Sequence, residues 1–170
     1  METEKREFRR WILSSIDIDQ AIGWANIILE NQLYEEGDEE AQIISIGLQT
    51  SMVVAYSRPF SGNYDREHTT GRLNDEFLEV YDDDEKALHN RIIRLRHQVF
   101  AHSDSEVRGL EVNVTLFGEV TVAVPVSHNP YVSMTREEIE RFREMARKLQ
   151  SRISEEVVKI QEKFTPGERF

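Results

Sequence analysis

Apolar residues recur at three- and four-residue intervals over most of the chain, which is the spacing of one face of an α-helix. This pattern predicts a helix from about Lys5 to Gln32 and a second from Glu39 to about Ser57. Asp38 suits the cap of the second helix, and Pro59 ends it because the residue before a proline avoids helical geometry. We expect the buried face of the second helix to consist of Ile43, Ile46, Thr50, Val53 and Val54.

Helical spacing returns after a polar loop at positions 60–72. We predict a short helix from Leu73 to Tyr81 and a longer one from about Glu85 to Ala101, because the acidic run DDD before it suits a helix start. Thr135 and Glu138 have the spacing of a capping box, so a last helix is predicted over about 135–164.

A period of two replaces the helical period between these last two helices. The segments LEVNVTL and VTVAVPV alternate strictly, which predicts a β-hairpin over about 110–126. Even-numbered residues are apolar in both strands, so a shared apolar face requires pairs such as Leu116 with Val120. That pairing needs a loop of odd length, Phe117-Gly118-Glu119, since a two-residue turn would require a bulge. Pro125 places the second strand at an edge.

These elements predict a single domain over residues 1–170, mainly α. Its architecture is a helical bundle of four to five helices with one β-hairpin inserted before the C-terminal helix. With 39% hydrophobic and 31% charged residues, the composition suits a soluble globular protein. Cysteine is absent from the sequence, which fits a reducing cytosol and excludes thiolate metal sites. The most apolar stretch, AQIISIGLQTSMVVA, is too short and too polar to span a bilayer, so we expect a cytoplasmic protein without membrane contact.

The charge distribution singles out the segment RLRHQVFAHSD at positions 94–104. A net charge of -11 disfavours sequence-independent attraction to nucleic acid, so any such role requires a local basic patch. Between Arg91 and Arg108 four arginines stand against Asp104 and Glu106, and two of the five histidines lie in this segment. The segment is therefore a candidate site for an anionic ligand.

The same segment has side chains that suit phosphoryl transfer without a metal. Leu95 and Val99 belong to the apolar stripe, whereas Arg96, His97 and His102 are predicted near the C-terminal end of the helix. Imidazole can serve as base or acid near neutral pH, and an arginine can stabilise charge on phosphate oxygens. One chain offers one Arg–His pair, and a two-fold dimer that apposed the helix ends would supply a separate acid and base.

Arg96, five intervening residues and His102 resemble the signature of the HEPN superfamily. That signature is an Arg, four to six residues and then a His, commonly with Asn, Asp or His directly after the Arg, where this chain has His97. The wider context, LHNRIIRLRHQVFAHSD preceded by AYSRPF, resembles the subgroup that includes the type-U abortive-infection proteins of bacterial phage defence. The resemblance covers roughly Val54 to Asp104, and the hairpin is outside the minimal family fold.

The resemblance implies a cytoplasmic homodimer that cleaves RNA as a toxin or phage-defence effector, with no metal or other cofactor. Arg96 and His102 would be the catalytic pair and His97 an assisting polar group. An antitoxin or regulatory protein is a further expected partner. Because some HEPN proteins have lost catalysis, the alternative is a non-catalytic dimeric module that binds a nucleotide, nucleic acid or a protein partner.

Four more residues are candidates for substrate binding: Arg94, Arg58, Tyr56 and Asp104. The plain alternatives are that Tyr56 and Phe60 belong to the core and that the arginines and histidines only cap a helix end and pair with carboxylates.

A metal site is disfavoured by the sequence spacing. Its candidate ligands would be His89, His97, His102 and Asp104, but His97 and His102 are not three or four residues apart, as a helical ligand pair would be.

Overall fold

The computed structural model of the protein describes residues 2–34, 38–61, 71–97, 111–118, 120–126, 134–165 and 167. Its helices are α1 (Glu2–Glu30), α2 (Glu39–Ser57), α3 (Asp83–Leu95) and α4 (Arg136–Gln161). Two short 3₁₀ helices, Arg58–Phe60 and Asp75–Val80, lie between α2 and α3. Strands β1 (Glu111–Phe117) and β2 (Val120–Val126) form an antiparallel hairpin. The predicted class, a mainly helical protein with a hairpin before its C-terminal helix, is confirmed.

The first and last helices pack against each other in antiparallel orientation. Lys163 Nζ donates to Glu4 Oε1 over 2.9 Å near one end, and Gln150 Nε2 donates to Ser15 Oγ over 2.9 Å farther along. Fully buried apolar residues lie along both helices, among them Ile18, Ala21, Phe142, Leu149 and Ile153. The α1–α4 pair is therefore the centre of the core.

The other two helices complete an alternating arrangement. Ser45, near the start of α2, donates to the carbonyl of Leu33 just after α1, so α2 runs antiparallel to α1. Ion pairs between Arg91 and Glu138 and between Glu85 and Lys148 join α3 to α4, again in antiparallel orientation. Consequently α1 and α3 run in one direction, and α2 and α4 run in the other.

Polar caps define the starts of three helices. The Asp38 carboxylate accepts from the backbone N–H of Ala41, as predicted for the start of α2. Capping boxes, in which each side chain bonds the other residue's backbone N–H, join Asp82 to Glu85 and Thr135 to Glu138. The Thr135 box confirms the predicted start of the last helix.

The buried face of α2 differs from the predicted one. Ile43 is 64% exposed, whereas the buried positions are Ser45, Gln49, Met52, Val53, Ala55, Tyr56 and Ser57. Of the five residues expected to face inward, Val53 is buried and Ile46, Thr50 and Val54 are half-buried. The reason is a buried polar network that the apolar pattern cannot reveal: Gln49 Nε2 donates to Ser45 Oγ over 3.0 Å, and Gln49 Oε1 accepts from the backbone N–H of Met134 over 2.9 Å.

The register of the hairpin also differs from the predicted one. Leu116 pairs with Thr121, and Phe117 pairs with Val120, so the connection is a two-residue turn without a bulge. Gly118 adopts φ 64°, which is the conformation that two-residue hairpin turns require and that glycine adopts readily. The even-numbered apolar residues of the two strands therefore point to opposite faces.

The prediction of a shared apolar face is wrong because the hairpin is exposed. Val114, Leu116 and Val120 are 67%, 71% and 64% exposed, so no described helix covers either face. Alternating apolar residues determine the register of a hairpin only where one of its faces is buried. Here the glycine turn sets the register instead.

Within the described residues, no helix has the length and apolarity needed to cross a membrane.

Candidate functional site

The candidate site lies at the C-terminal end of α3. Leu88, His89 and Ile92 are buried in this helix, and its N-terminus is fixed by the capping box. These buried residues and the capping box fix the position of the C-terminal end of α3. The backbone N–H of Arg96 donates to the carbonyls of Ile92 and Ile93, and Arg96 and His97 have π-helical geometry. Such local widening of a helix is frequent at functional sites.

Arg96 and His97 contact each other through their side chains. Arg96 Nη1 lies 3.2 Å from His97 Nδ1. A guanidinium can only donate, so Nδ1 must accept, and the imidazole proton must then be on Nε2. The arrangement fixes the tautomer of an exposed imidazole and orients the guanidinium beside it.

The positive charge at this end of α3 is smaller than the sequence suggests. Arg91 forms an ion pair with Glu138 of α4 and is therefore part of the helix packing. Arg94 is exposed and pairs with no carboxylate among the described residues. The described part of the basic patch accordingly consists of Arg94 and Arg96.

Arg58 is directed to a different element. Its Nη1 donates to Asp17 Oδ1 over 3.2 Å and to Gln20 Oε1 over 2.9 Å, both on α1. Half of its side chain remains exposed, but within the described residues it makes no hydrogen bond to Arg96 or His97. The structure thus brings Arg96 and His97 together and does not join Arg58 to them.

Tyr56 lies in the core and not on a pocket wall. It is 0% exposed, and its hydroxyl is 3.0 Å from the Tyr81 hydroxyl and 2.9 Å from His89 Nδ1. Phe60 is also buried, with its ring centroid 5.6 Å from that of Tyr56. A substrate cannot reach Tyr56 in this conformation, so its burial fits the alternative interpretation of Tyr56 and Phe60 as core residues.

The buried Tyr56–Tyr81–His89 cluster was not predicted from the sequence. Burial lowers the pKa of His89 to about 4, although Asp75 opposes this, so the imidazole is neutral at pH 7. Burial also raises the pKa of both tyrosines. The burial of His89 could have been predicted from its position in the sequence, because it directly follows Leu88 and lies three residues before Ile92, on the buried face of α3. The cluster joins α2 to α3 and is structural.

Two predicted site residues, His102 and Asp104, lie outside the described residues. Their relation to Arg96 stays a prediction. In the part of the chain that the structure describes, no group of three or more His, Cys, Asp or Glu side chains is arranged to hold a metal ion.

Comparisons with protein-family models, with curated proteins and with solved structures found no match to this chain.

Proposed function

We propose that this protein is a HEPN-like, metal-independent endoribonuclease that acts as a homodimer in the cytoplasm, as a toxin or phage-defence effector. The observation that supports it is the contact between Arg96 Nη1 and His97 Nδ1 at the end of α3. In the HEPN signature a polar residue directly after the Arg assists it, and here His97 accepts from Arg96 and so orients its guanidinium.

In the proposed reaction the RNA 2′-hydroxyl attacks the adjacent phosphorus. A new bond forms between O2′ and phosphorus while the bond from phosphorus to O5′ breaks, leaving a 2′,3′-cyclic phosphate. One imidazole takes the proton of the 2′-hydroxyl, and a second gives a proton to the departing O5′. Arg96 stabilises the charge that grows on the non-bridging oxygens, and His102 is the acid or base.

Dimerisation follows from the number of imidazoles that this reaction needs. Each chain supplies one Arg96–His102 pair, whereas the reaction uses separate acid and base groups. A two-fold axis beside the end of α3 would bring two pairs to one groove.

The charge of the chain favours a selective substrate. With -11 overall and only Arg94 and Arg96 in the described part of the patch, bulk RNA is repelled by most of the surface. We therefore propose a specific structured RNA, such as a tRNA, and an antitoxin or regulatory protein that restrains the enzyme.

The decisive experiment incubates purified dimer with an RNA pool that includes tRNA, in excess EDTA. Cleavage that leaves cyclic phosphate ends, and that His102→Ala abolishes while circular dichroism and dimer mass stay unchanged, supports the proposal. His68→Ala is the matched control, because it removes a histidine outside the motif.

The alternative function gives a different result in the same experiment. If the folded dimer binds RNA, a nucleotide or a protein partner but never cuts RNA, the protein is a non-catalytic module. If it is a monomer under all conditions, the shared-groove mechanism fails.

A further inference from the structure

Arg10 of α1 is a buried arginine whose hydrogen-bonding capacity is only partly used. It is 4% exposed, and its Nη2 donates to the carbonyl of Arg58, over 3.1 Å, and to that of Pro59. Its Nε and Nη1 have no hydrogen-bond partner within the described structure. Buried donors without partners are costly and rare in folded proteins, so a group that accepts from them is expected.

These unpartnered donors belong to a side chain on the wall of a cavity of about 340 Å³. The cavity lies between the first turns of α1, the chain around Arg72 and the 3₁₀ helix Asp75–Val80, and the second half of α4. Its volume is at the lower limit of small-molecule sites and is too small for a polymer.

Three more arginines line the cavity: Arg6, Arg72 and Arg152. Arg72 is exposed and makes no ion pair with a described residue. Arg152 is held in place because it pairs with Glu156 and lies 5.7 Å from the centroid of the Phe77 ring. Among these arginines, Arg10 is a buried guanidinium with unused donors, Arg152 is a fixed cation and Arg72 is available to a ligand, a combination that suits an oxyanion.

The wall also carries acceptors for hydroxyl groups. Glu7 and Glu76 are exposed carboxylates that line the same cavity, and neither bonds to Arg10. Trp11 and Phe77 form the apolar part of the wall. Carboxylates repel a bare anion but accept hydrogen bonds from hydroxyl groups. The wall therefore has arginines that suit an oxyanion and carboxylates that suit hydroxyl groups.

We propose that this cavity binds a small phosphate ester that bears hydroxyl groups, of the size of a sugar phosphate. The phosphate would accept from Arg72 and, once the Arg10 side chain turns towards the cavity, from either Nε or Nη1 of Arg10. The hydroxyl groups would donate to Glu7 or Glu76. Because α1 carries Arg10 and the chain after residue 70 carries Arg72, the ligand would bridge these two segments. This site does not depend on the ribonuclease mechanism.

The test is isothermal titration calorimetry on the full chain with ribose 5-phosphate, inorganic phosphate and ribose, at constant ionic strength. We expect ribose 5-phosphate to bind at least tenfold more tightly than inorganic phosphate, and ribose not to bind. Equal affinity for the two phosphates would overturn the assignment of a hydroxyl-bearing ester, and absence of binding by both would overturn the site.

Variants separate the cavity from general charge effects. Arg72→Gln should weaken ribose 5-phosphate binding at least tenfold, and Arg10→Lys should do the same because a single ammonium cannot bond the two carbonyls and also replace the unused Nε and Nη1 donors. Arg147→Gln, an exposed arginine of α4 outside the cavity, is the matched control and should bind like the wild type. If Arg10→Lys does not fold, Arg72→Gln decides alone. An affinity unchanged in Arg72→Gln, or lost equally in Arg147→Gln, would refute the proposal.

Discussion

The Tyr56 hydroxyl lies 2.9 Å from Nδ1 of His89, and both side chains are buried. The contact joins the end of α2 to the middle of α3, and the Tyr81 hydroxyl extends it from the other side over 3.0 Å. Because α3 ends at the candidate site, this internal bond helps to determine where Arg96 and His97 are held.

Tyr56→Phe is expected to destabilise the protein by about 1–3 kcal/mol, since it leaves two buried polar groups without partners. Urea denaturation followed by circular dichroism measures the loss. A double-mutant cycle with His89→Leu provides the control, because the second substitution removes one of the abandoned partners. Strict additivity in that cycle would contradict a direct Tyr56–His89 bond.

Acidification should destabilise the fold through His89. Its pKa is about 4 when folded and 6.5 ordinarily, so between these values the unfolded chain binds a proton that the folded chain does not. Stability from this group is complete above pH 6.5 and decreases as the pH falls towards 4. The variant His89→Gln lacks this titrating group and should not lose stability in this way. The free energy of unfolding of the wild type, relative to that of the variant, should therefore fall by roughly 2–3 kcal/mol between pH 7.5 and pH 4.5.

Gly118 can be tested by substitution because its φ of 64° is unfavourable for most side chains. Gly118→Val should destabilise the turn by at least about 1 kcal/mol, whereas Gly118→Asn should be better tolerated. A Cβ at this position meets no described atom within 4 Å, so the cost is conformational. Amide hydrogen exchange in β1 and β2 reports it locally. Equal exchange rates in the two variants would argue against the left-handed conformation.

Cysteine cross-linking checks the hairpin register, since the native chain contains no cysteine. Val114 is directly opposite Ala123, and opposed residues of antiparallel strands have Cα atoms about 4.5–5.5 Å apart, within the Cα separations that disulfides span. The pair Val114→Cys with Ala123→Cys should oxidise readily. The pair Val114→Cys with Val122→Cys matches the register of a shared apolar face and should not, because these side chains lie on opposite faces. Preferential oxidation of the second pair would reverse this assignment.

The orienting role of His97 predicts a chemical distinction between two substitutions. His97→Asn keeps an acceptor for Arg96, whereas His97→Leu removes it. If the proposed ribonuclease activity is present, His97→Leu should lower the cleavage rate roughly 10²-fold, the usual effect of misplacing a catalytic group. His97→Asn should retain most of the rate. Similar rates for the leucine variant and the wild type would remove His97 from the mechanism.

Long periodic segments could be predicted from the sequence because the helices bury apolar faces. The caps at Asp38 and Thr135 could also be predicted, since each depends on a side chain bonding to a backbone N–H three residues away. Bounds of α1 and α4 differ from the predicted ones by one to three residues because helix ends are set by local bonding and not by the apolar stripe.

Features that depend on distant partners could not be predicted. Gln49 is buried because Met134 donates to it from 85 residues away, and no local pattern contains that information. Arg10 is buried for a similar reason, since its acceptors are carbonyls at positions 58 and 59. Its place in the helical series with Ser14, Ile18 and Ala21 was a usable signal, but the charge of the N-terminal segment concealed it.

At the candidate site, the sequence placed Arg96 and His97 together at a helix end, and adjacency in the chain made this simple to predict. The sequence also suggested that Arg91 belongs to the cationic patch, but in the structure Glu138 neutralises the charge of Arg91. That ion pair depends on the packing of α3 against α4, so only the folded chain reveals it.

The first helix packs along the last, and this order affects how the protein is made. A ribosome must complete α4 before the buried residues of α1, such as Ile18 and Ala21, can be covered by their partners. Until then the emerging chain has exposed apolar surface, and long-range closure of this kind slows folding and favours aggregation. Nascent chains stalled before residue 136 should accordingly be substrates for chaperones, whereas released full-length chains should not.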